Sequence, residues 1–298
     1  MNQAPTRNRT AFPSLSLPIS VLHLLTCLLL VSPVCIAQSR TASQQTESTQ
    51  SNTTAAPPDA ENIHKAEAVV QQAVDAMGGA AYLGLRTIIG RGLFTPYQGG
   101  VSGVPFAFRD YVVYPNKNRT EFRGSGNLLV QTNADGTGWT FDGAQRKIAE
   151  AKDDQTRDFE FSLRASIDTL LRGEWRKHQA VLSYVGRREA GLAQRNEVVR
   201  LAYPDGFVVE HEFSARTSLP AKTTYKRANK QGELILEEDR YAQFITTNGV
   251  QLPFIIDHFR SGVQTGRVNY EDVAINKPIA DELFARPADL KALSKTLK

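Results

Sequence analysis

Residues 111–143 read YVVYPNKNRTEFRGSGNLLVQTNADGTGWTFDG, and no other stretch limits the fold as strongly. Apolar and polar residues alternate on either side of two turn signals, Pro115-Asn116-Lys117 and Ala134-Asp135-Gly136. A period of two flanking such turns is the local signature of antiparallel hairpins, so the stretch predicts four short strands. Upstream, residues 105–114 put Phe106, Phe108, Asp110, Val112 and Tyr114 on one face, and Arg109 and Tyr111 on the other. From Val181 onward the hairpins resume. The strongest joins 198–203 to 207–213 through Pro204-Asp205-Gly206, with Phe207, Val209, His211 and Phe213 sharing a face. Further strands are expected at 221–227, 233–244, 252–260 and 263–273, with Asn248-Gly249 as a turn. About eleven sequential antiparallel strands must curl into a barrel or half-barrel. The class is mainly β, of the α+β kind.

Two helices interrupt this pattern. Residues 61–77 place Ile63, Ala66, Val70, Ala73, Val74 and Met77 at helical spacing; Asp59 or Asn62 caps the start and Gly78-Gly79 stops it. Residues 158–172 carry a second apolar stripe, Phe159, Leu163, Ile167, Leu170 and Leu171, with Gly173 at its end. This second helix must lie across the sheet, since no other surface receives its apolar face. Gly90 and Gly92 in the first strand, 86–97, predict a bulge or a close backbone approach. Residues 98–103 read as a mobile glycine-rich loop and 146–157 as a charged connector.

The ends of the chain bear on its location. Arg7 and Arg9 precede an apolar run from Leu15 to Val34 that closes on Cys35-Ile36-Ala37. That is the order of a secretory signal, 1–37, cleaved after Ala37. The competing reading, a retained anchor, is disfavoured by Pro13, Pro18 and His23, because a span needs roughly 20 apolar residues. Residues 38–60 are Ser, Thr, Gln, Ala and Pro without apolar period, a flexible linker. The folded domain is then 61–298. Both cysteines, Cys27 and Cys35, fall in the signal, so the exported chain has no disulfide and no cysteine chemistry. Its stability must come from a core.

Composition and motifs offer little chemistry. Without Arg7 and Arg9 the Lys and Arg total falls from 35 to 33 against 31 Asp and Glu, and no basic stripe interleaved with aromatics marks a nucleic-acid partner. His64, His178, His211 and His258 have no ligands at metal spacing. Ser102 lies in Gly100-Val101-Ser102-Gly103-Val104, which lacks the final glycine of a nucleophile elbow. Gly90-Arg91-Gly92 and Gly124-Ser125-Gly126 lack a third glycine and a βαβ setting. Glu237-Glu238-Asp239 reads as solvated surface. The sequence therefore predicts no enzyme, no metal and no cofactor. A curled sheet with Phe106, Phe108, Phe207, Phe213, Phe254 and Ile256 facing inward leaves two outcomes open, a plain filled core or an apolar concavity capped by the 158–172 helix.

At Tyr114-Pro115-Asn116, Arg119 and Phe122, followed by Asp135-Gly136, Trp139 and Phe141, the sequence resembles the LolA-like family. These are periplasmic carriers of outer-membrane lipoproteins, with the related outer membrane lipoprotein-sorting proteins. Asn248-Gly249, Leu252-Pro253, Val273-Ala274-Ile275-Asn276 and Leu283-Phe284 with Pro287 extend the resemblance over most of 61–290. It implies an incomplete barrel with helices as a lid over the hydrophobic concave face. The implied ligand is a lipid or the acyl chains of a lipoprotein, passed from an inner-membrane donor to an outer-membrane acceptor. The cavity and lid residues are then Phe106, Phe108, Tyr114, Trp139, Phe159, Leu163, Ile167, Phe207, Phe213 and Phe254. One position departs from the family: the arginine that precedes Pro-Asn and links sheet to lid is here Tyr114. The rival reading on the same fold is a lipid- or protein-sensing domain of an envelope regulator.

Overall fold

The computed structural model describes residues 58–297 except 125, 230 and 231. The expected signal, 1–37, and nearly all of the 38–60 linker lie outside the described residues. The chain opens with helices α1 (Ala60–Met77) and α2 (Ala80–Leu83). Strands β1 (Thr87–Gln98), β2 (Val101–Ser102), β3 (Phe106–Val113), β4 (Lys117–Gly124), β5 (Asn127–Ala134), β6 (Thr137–Asp142) and β7 (Lys147–Glu150) follow. Next come α3 (Asp153–Ala165), α4 (Ile167–Leu171) and a 3-10 turn, Glu174–His178. The second run of strands is β8 (Val181–Gly191), β9 (Gln194–Ala202), β10 (Val208–Ser214), β11 (Pro220–Ala228), β12 (Leu234–Thr247), β13 (Val250–Arg260) and β14 (Val263–Ile275), before α5 (Leu290–Thr296).

Strand order explains the shape. It runs β7-β6-β5-β4-β3-β1-β14-β13-β12-β11-β10-β9-β8, with β2 paired only to β1. The chain starts mid-sheet at β1 and works outward to the edge strand β7. It then crosses through α3 and α4 to the opposite edge at β8 and returns until β14 lies beside β1. The two edges are joined by helices instead of hydrogen bonds, so the antiparallel sheet curls into an incomplete barrel. Among the described residues fourteen strands replace the expected eleven or so, partly because β2 lies in the supposed mobile loop and β7 in the supposed connector.

Local chemistry sets the helices. Asp59 caps α1 by accepting from Asn62 N at 2.8 Å, and Gly78 ends it at φ 121°. Ala66, Ala73, Val74 and Met77 are its buried face, as their spacing predicts. Asn62 also donates to Tyr184 O and accepts from Tyr184 N, filling the places another strand would take on the β8 edge. The single helix expected at 158–172 is two. Ser166 adopts an extended backbone, ends α3, and accepts from Asp168 N to start α4. The charged residues before it are the first turn of α3, where Asp153 and Asp154 suit the positive helix start. Gly92 meets its expectation: a β-carbon there would lie 2.0 Å from Asn269 O, at a bulge between Arg91 and Gly92.

The main core fills the inside of the sheet from β8 to β14, continues over β1 to Phe108 and Val112 of β3 and Phe122 of β4, and receives α1, α2 and α4. A separate cluster of Val130, Trp139, Phe141 and Leu293 lies on the other face of β5 and β6, beneath α5. The Glu237–Asp239 run is not solvated surface. Glu237 and Asp239 are buried; Glu237 accepts from Arg227 and Arg260, and Asp239 pairs with His258 at 2.6 Å. Their partners come from neighbouring strands that pairing brings alongside.

Candidate functional site

The inward residues of β3 continue past its end to Tyr114, and Val112 lies opposite Asn118 on β4. α3 and α4 face them across a cavity of about 330 Å³, with Val112, Tyr114 and Asn118 on the sheet side and Phe159 and Leu163 on the helix side. Arg164, Arg172 and Lys177 line its mouth. A second cavity, about 320 Å³, has Phe94, Phe106, Phe122 and Leu129 as its apolar wall and Gln155 of α3 at its edge. α3 thus spans from one cavity to the other. Arg227 on β11 holds the middle of that helix through Asp158 at 2.9 Å.

Sheet and lid are joined at one carboxylate. Asp168 on α4 accepts from Tyr82 OH at 2.5 Å and from Tyr114 OH at 3.0 Å. Arg172 stacks on the Tyr114 ring, 4.3 Å from its centre, and donates to the carbonyls of Tyr82 and Leu85. Burial pushes the Asp168 carboxyl above its ordinary range, against the opposing pull of the Tyr82 hydrogen bond and the Arg172 charge. Burial likewise drives both tyrosine hydroxyls well above theirs. Tyr114 thus ties the end of β3 to α4 through a tyrosine–aspartate hydrogen bond.

The residues singled out by sequence separate into three groups. Tyr114, Phe159 and Leu163 line the first cavity and Phe106 the second. Phe108, Ile167, Phe207, Phe213 and Phe254 belong to the packed core; Phe161, Tyr203 and Tyr225 surround Phe207, and Tyr270 meets both Phe108 and Phe254. Trp139 lies away from both cavities, on the opposite sheet face. Its ring nitrogen donates to Phe284 O at 2.9 Å and Arg119 stacks on it. Sequence reasoning missed Asp168, Arg172 and Asn118. A carboxylate set inside the apolar stripe between Ile167 and Leu170 was the available signal for the first of these.

No family model matches the sequence, and no curated protein matches it. Solved structures share its architecture. A DUF1329 family protein from Desulfovibrio piger superposes with a TM-score of 0.52 at 10% identity, over 74% of this chain and 97% of that one. A domain assigned to outer membrane lipoprotein sorting, from Vibrio parahaemolyticus, gives 0.50 at 10% identity, over 75% and 97%. A LolA superfamily protein from Nitrosomonas europaea gives 0.49 at 12%, over 74% and 97%. The incomplete antiparallel barrel is shared with the first two of these, in keeping with the architecture that the sequence motifs implied, and at these identities the likeness speaks to fold alone.

Proposed function

We propose that the protein is a periplasmic carrier that holds the acyl chains of a lipid or lipoprotein between the inner face of β3–β5 and α3. One observation carries this reading: two cavities, each with an apolar wall among polar residues, lie under the two ends of one helix, α3. Each methylene moved from water into such a space contributes ~0.8 kcal/mol, so a sixteen-carbon chain gains on the order of 10 kcal/mol before entropic costs. Each cavity is near the small end of the roughly 300–1,000 Å³ usual for ligand sites, so a full chain requires α3 to lift and merge them. The contacts of α3 that must then give include Arg227–Asp158, Arg164–Asp205 and the hydrogen bond from Tyr203 OH to Arg164 O, which makes the lid a two-state element.

In this reading residues 1–37 direct export and are removed after Ala37, and the domain that opens with α1 is the half-barrel that shuttles between an inner-membrane donor and an outer-membrane acceptor. The chain performs no covalent step. Native mass spectrometry of protein purified gently from the periplasm, with lipid extraction of the same sample, tests it. A co-purifying lipid or acylated species that Leu163→Asp displaces is the expected result. An empty protein that also refuses a fluorescent fatty-acid analogue overturns the carrier and leaves a protein-binding module.

A further inference from the structure

We infer that the first cavity binds a phosphate-bearing anionic head group at its mouth, so that the lipid carried is an anionic phospholipid; this rests on the carrier reading. The charged lining is unequal. Lys117, Arg164, Arg172 and Lys177 line the cavity against Asp168 and Glu174. Asp168 is buried and already occupied by two tyrosine hydroxyls. Arg172 donates to two backbone carbonyls and to no carboxylate.

Lys117 and Lys177 are held by ion pairs at the surface, a kind of contact that contributes little net stability and yields readily to a stronger anion. Lys177 meets Glu174 and is itself 69% exposed, Lys117 meets Asp281, which is 82% exposed, and Arg164 forks onto Asp205, which is 56% exposed. Arg164 is also stacked over Tyr203 and Phe207 at 4.2 and 4.7 Å. That platform fixes its planar donors for bidentate contact with phosphate.

Asn118 supplies an independent sign of a ligand. It is 2% exposed, lines the cavity, and neither its amide nitrogen nor its amide oxygen has a hydrogen-bond partner. A buried donor and acceptor left unmatched is costly; an ester carbonyl of the glycerol linker matches the amide nitrogen, and a hydroxyl carried by the head group matches the amide oxygen. Apolar wall, unmatched amide and cationic side chains therefore meet in one cavity, the three environments that tail, linker and head require.

The test titrates purified protein with submicellar short-chain phosphatidylglycerol and phosphatidylcholine of identical acyl chains, and with inorganic phosphate, by calorimetry. Phosphatidylglycerol is expected to bind at least about tenfold more tightly than phosphatidylcholine. Lys177→Gln, at an exposed position that folding does not depend on, and Arg164→Gln/Lys177→Gln should shrink that ratio stepwise. Asn118→Leu should weaken phosphatidylglycerol binding several-fold without lowering the melting temperature, which a merely structural asparagine would not allow. Equal binding of the two lipids overturns the head-group inference and leaves the carrier standing. Inorganic phosphate binding as tightly as phosphatidylglycerol overturns the lipid source in favour of a free anion. Failure of every lipid to bind removes the carrier reading itself.

Discussion

The two wings of the sheet, β3–β7 and β8–β14, are built from the same hairpins but are stabilised from opposite sides. In the β8–β14 wing the mass lies inside, where Phe213, Tyr225, Phe254 and their neighbours pack against α1 and α4. In the β3–β7 wing that inner core reaches only Phe108, Val112 and Phe122 of β3 and β4, and a second layer lies outside: Val130, Trp139 and Phe141 are covered by Leu293 of α5, and Arg119, ion-paired with Glu121 and fully buried, donates to Leu283 O. The inner face of this wing keeps its cavities. A curled sheet needs one buried face to hold its register, and a wing that finds that face on its convex side is free to leave the concave side for a ligand. We read the C-terminal segment as the element that makes an open interior affordable.

The sharpest way to break this comparison is to remove a large side chain from each covered face. Trp139→Ala and Phe213→Ala should each cost about 3–5 kcal/mol in urea denaturation, yet Trp139→Ala should keep acyl-chain affinity in whatever protein remains folded. Phe106→Ala, at the half-buried cavity wall, should cost only about 1 kcal/mol. An equal cost at 106 and 213 would mean that the inner face of the β3–β7 wing is as filled as its neighbour.

Asp110 sharpens the comparison at the seam, since it accepts from Thr120 within the open wing and from Tyr270 of β14. Burial raises its carboxyl to about 6. Between the ordinary carboxylate value and about 6 the native chain holds a proton that the unfolded chain has lost. The contribution of Asp110 should therefore be fully present at low pH and fall as pH rises from about 4 to 6, by on the order of 3 kcal/mol. Asp110→Asn should flatten that part of the pH–stability curve; an unchanged slope would contradict the assignment. The smallest effect is expected at the lid. Tyr114→Phe leaves Asp168 one donor, should cost about 0.5–1.5 kcal/mol, and should speed release of a bound fluorescent fatty acid in stopped-flow.

Much of the fold was legible because period two and period 3.6 are local signals. The inward row of β3, the buried face of α1 and the close approach at Gly92 follow from neighbours in sequence. Trp139 was misplaced for a definite reason. Leu129 faces the main core and Val130 the outer cluster, so β5 has apolar residues on both sides and alternation cannot say which face is inward. That ambiguity comes from α5, whose docking is far away in sequence. The same distance hid the partners of Glu237 and Asp239, and the break at Ser166 was masked by an apolar stripe that runs on through it. Of the site, the aromatic and aliphatic lining was readable, whereas the Tyr114–Asp168 link needed the topology that sets α4 beside the end of β3.

The most direct test of the account is photo-cross-linking with a diazirine-bearing fatty acid, the adducts mapped by peptide mass spectrometry. Adducts at Phe106, Leu129, Phe159 and Leu163, with none at Val130, Phe141 or Leu293, are the predicted result. Adducts concentrated on the outer cluster beneath α5, or scattered without preference for either face, would contradict the claim that the concave side of the β3–β7 wing is kept for a ligand.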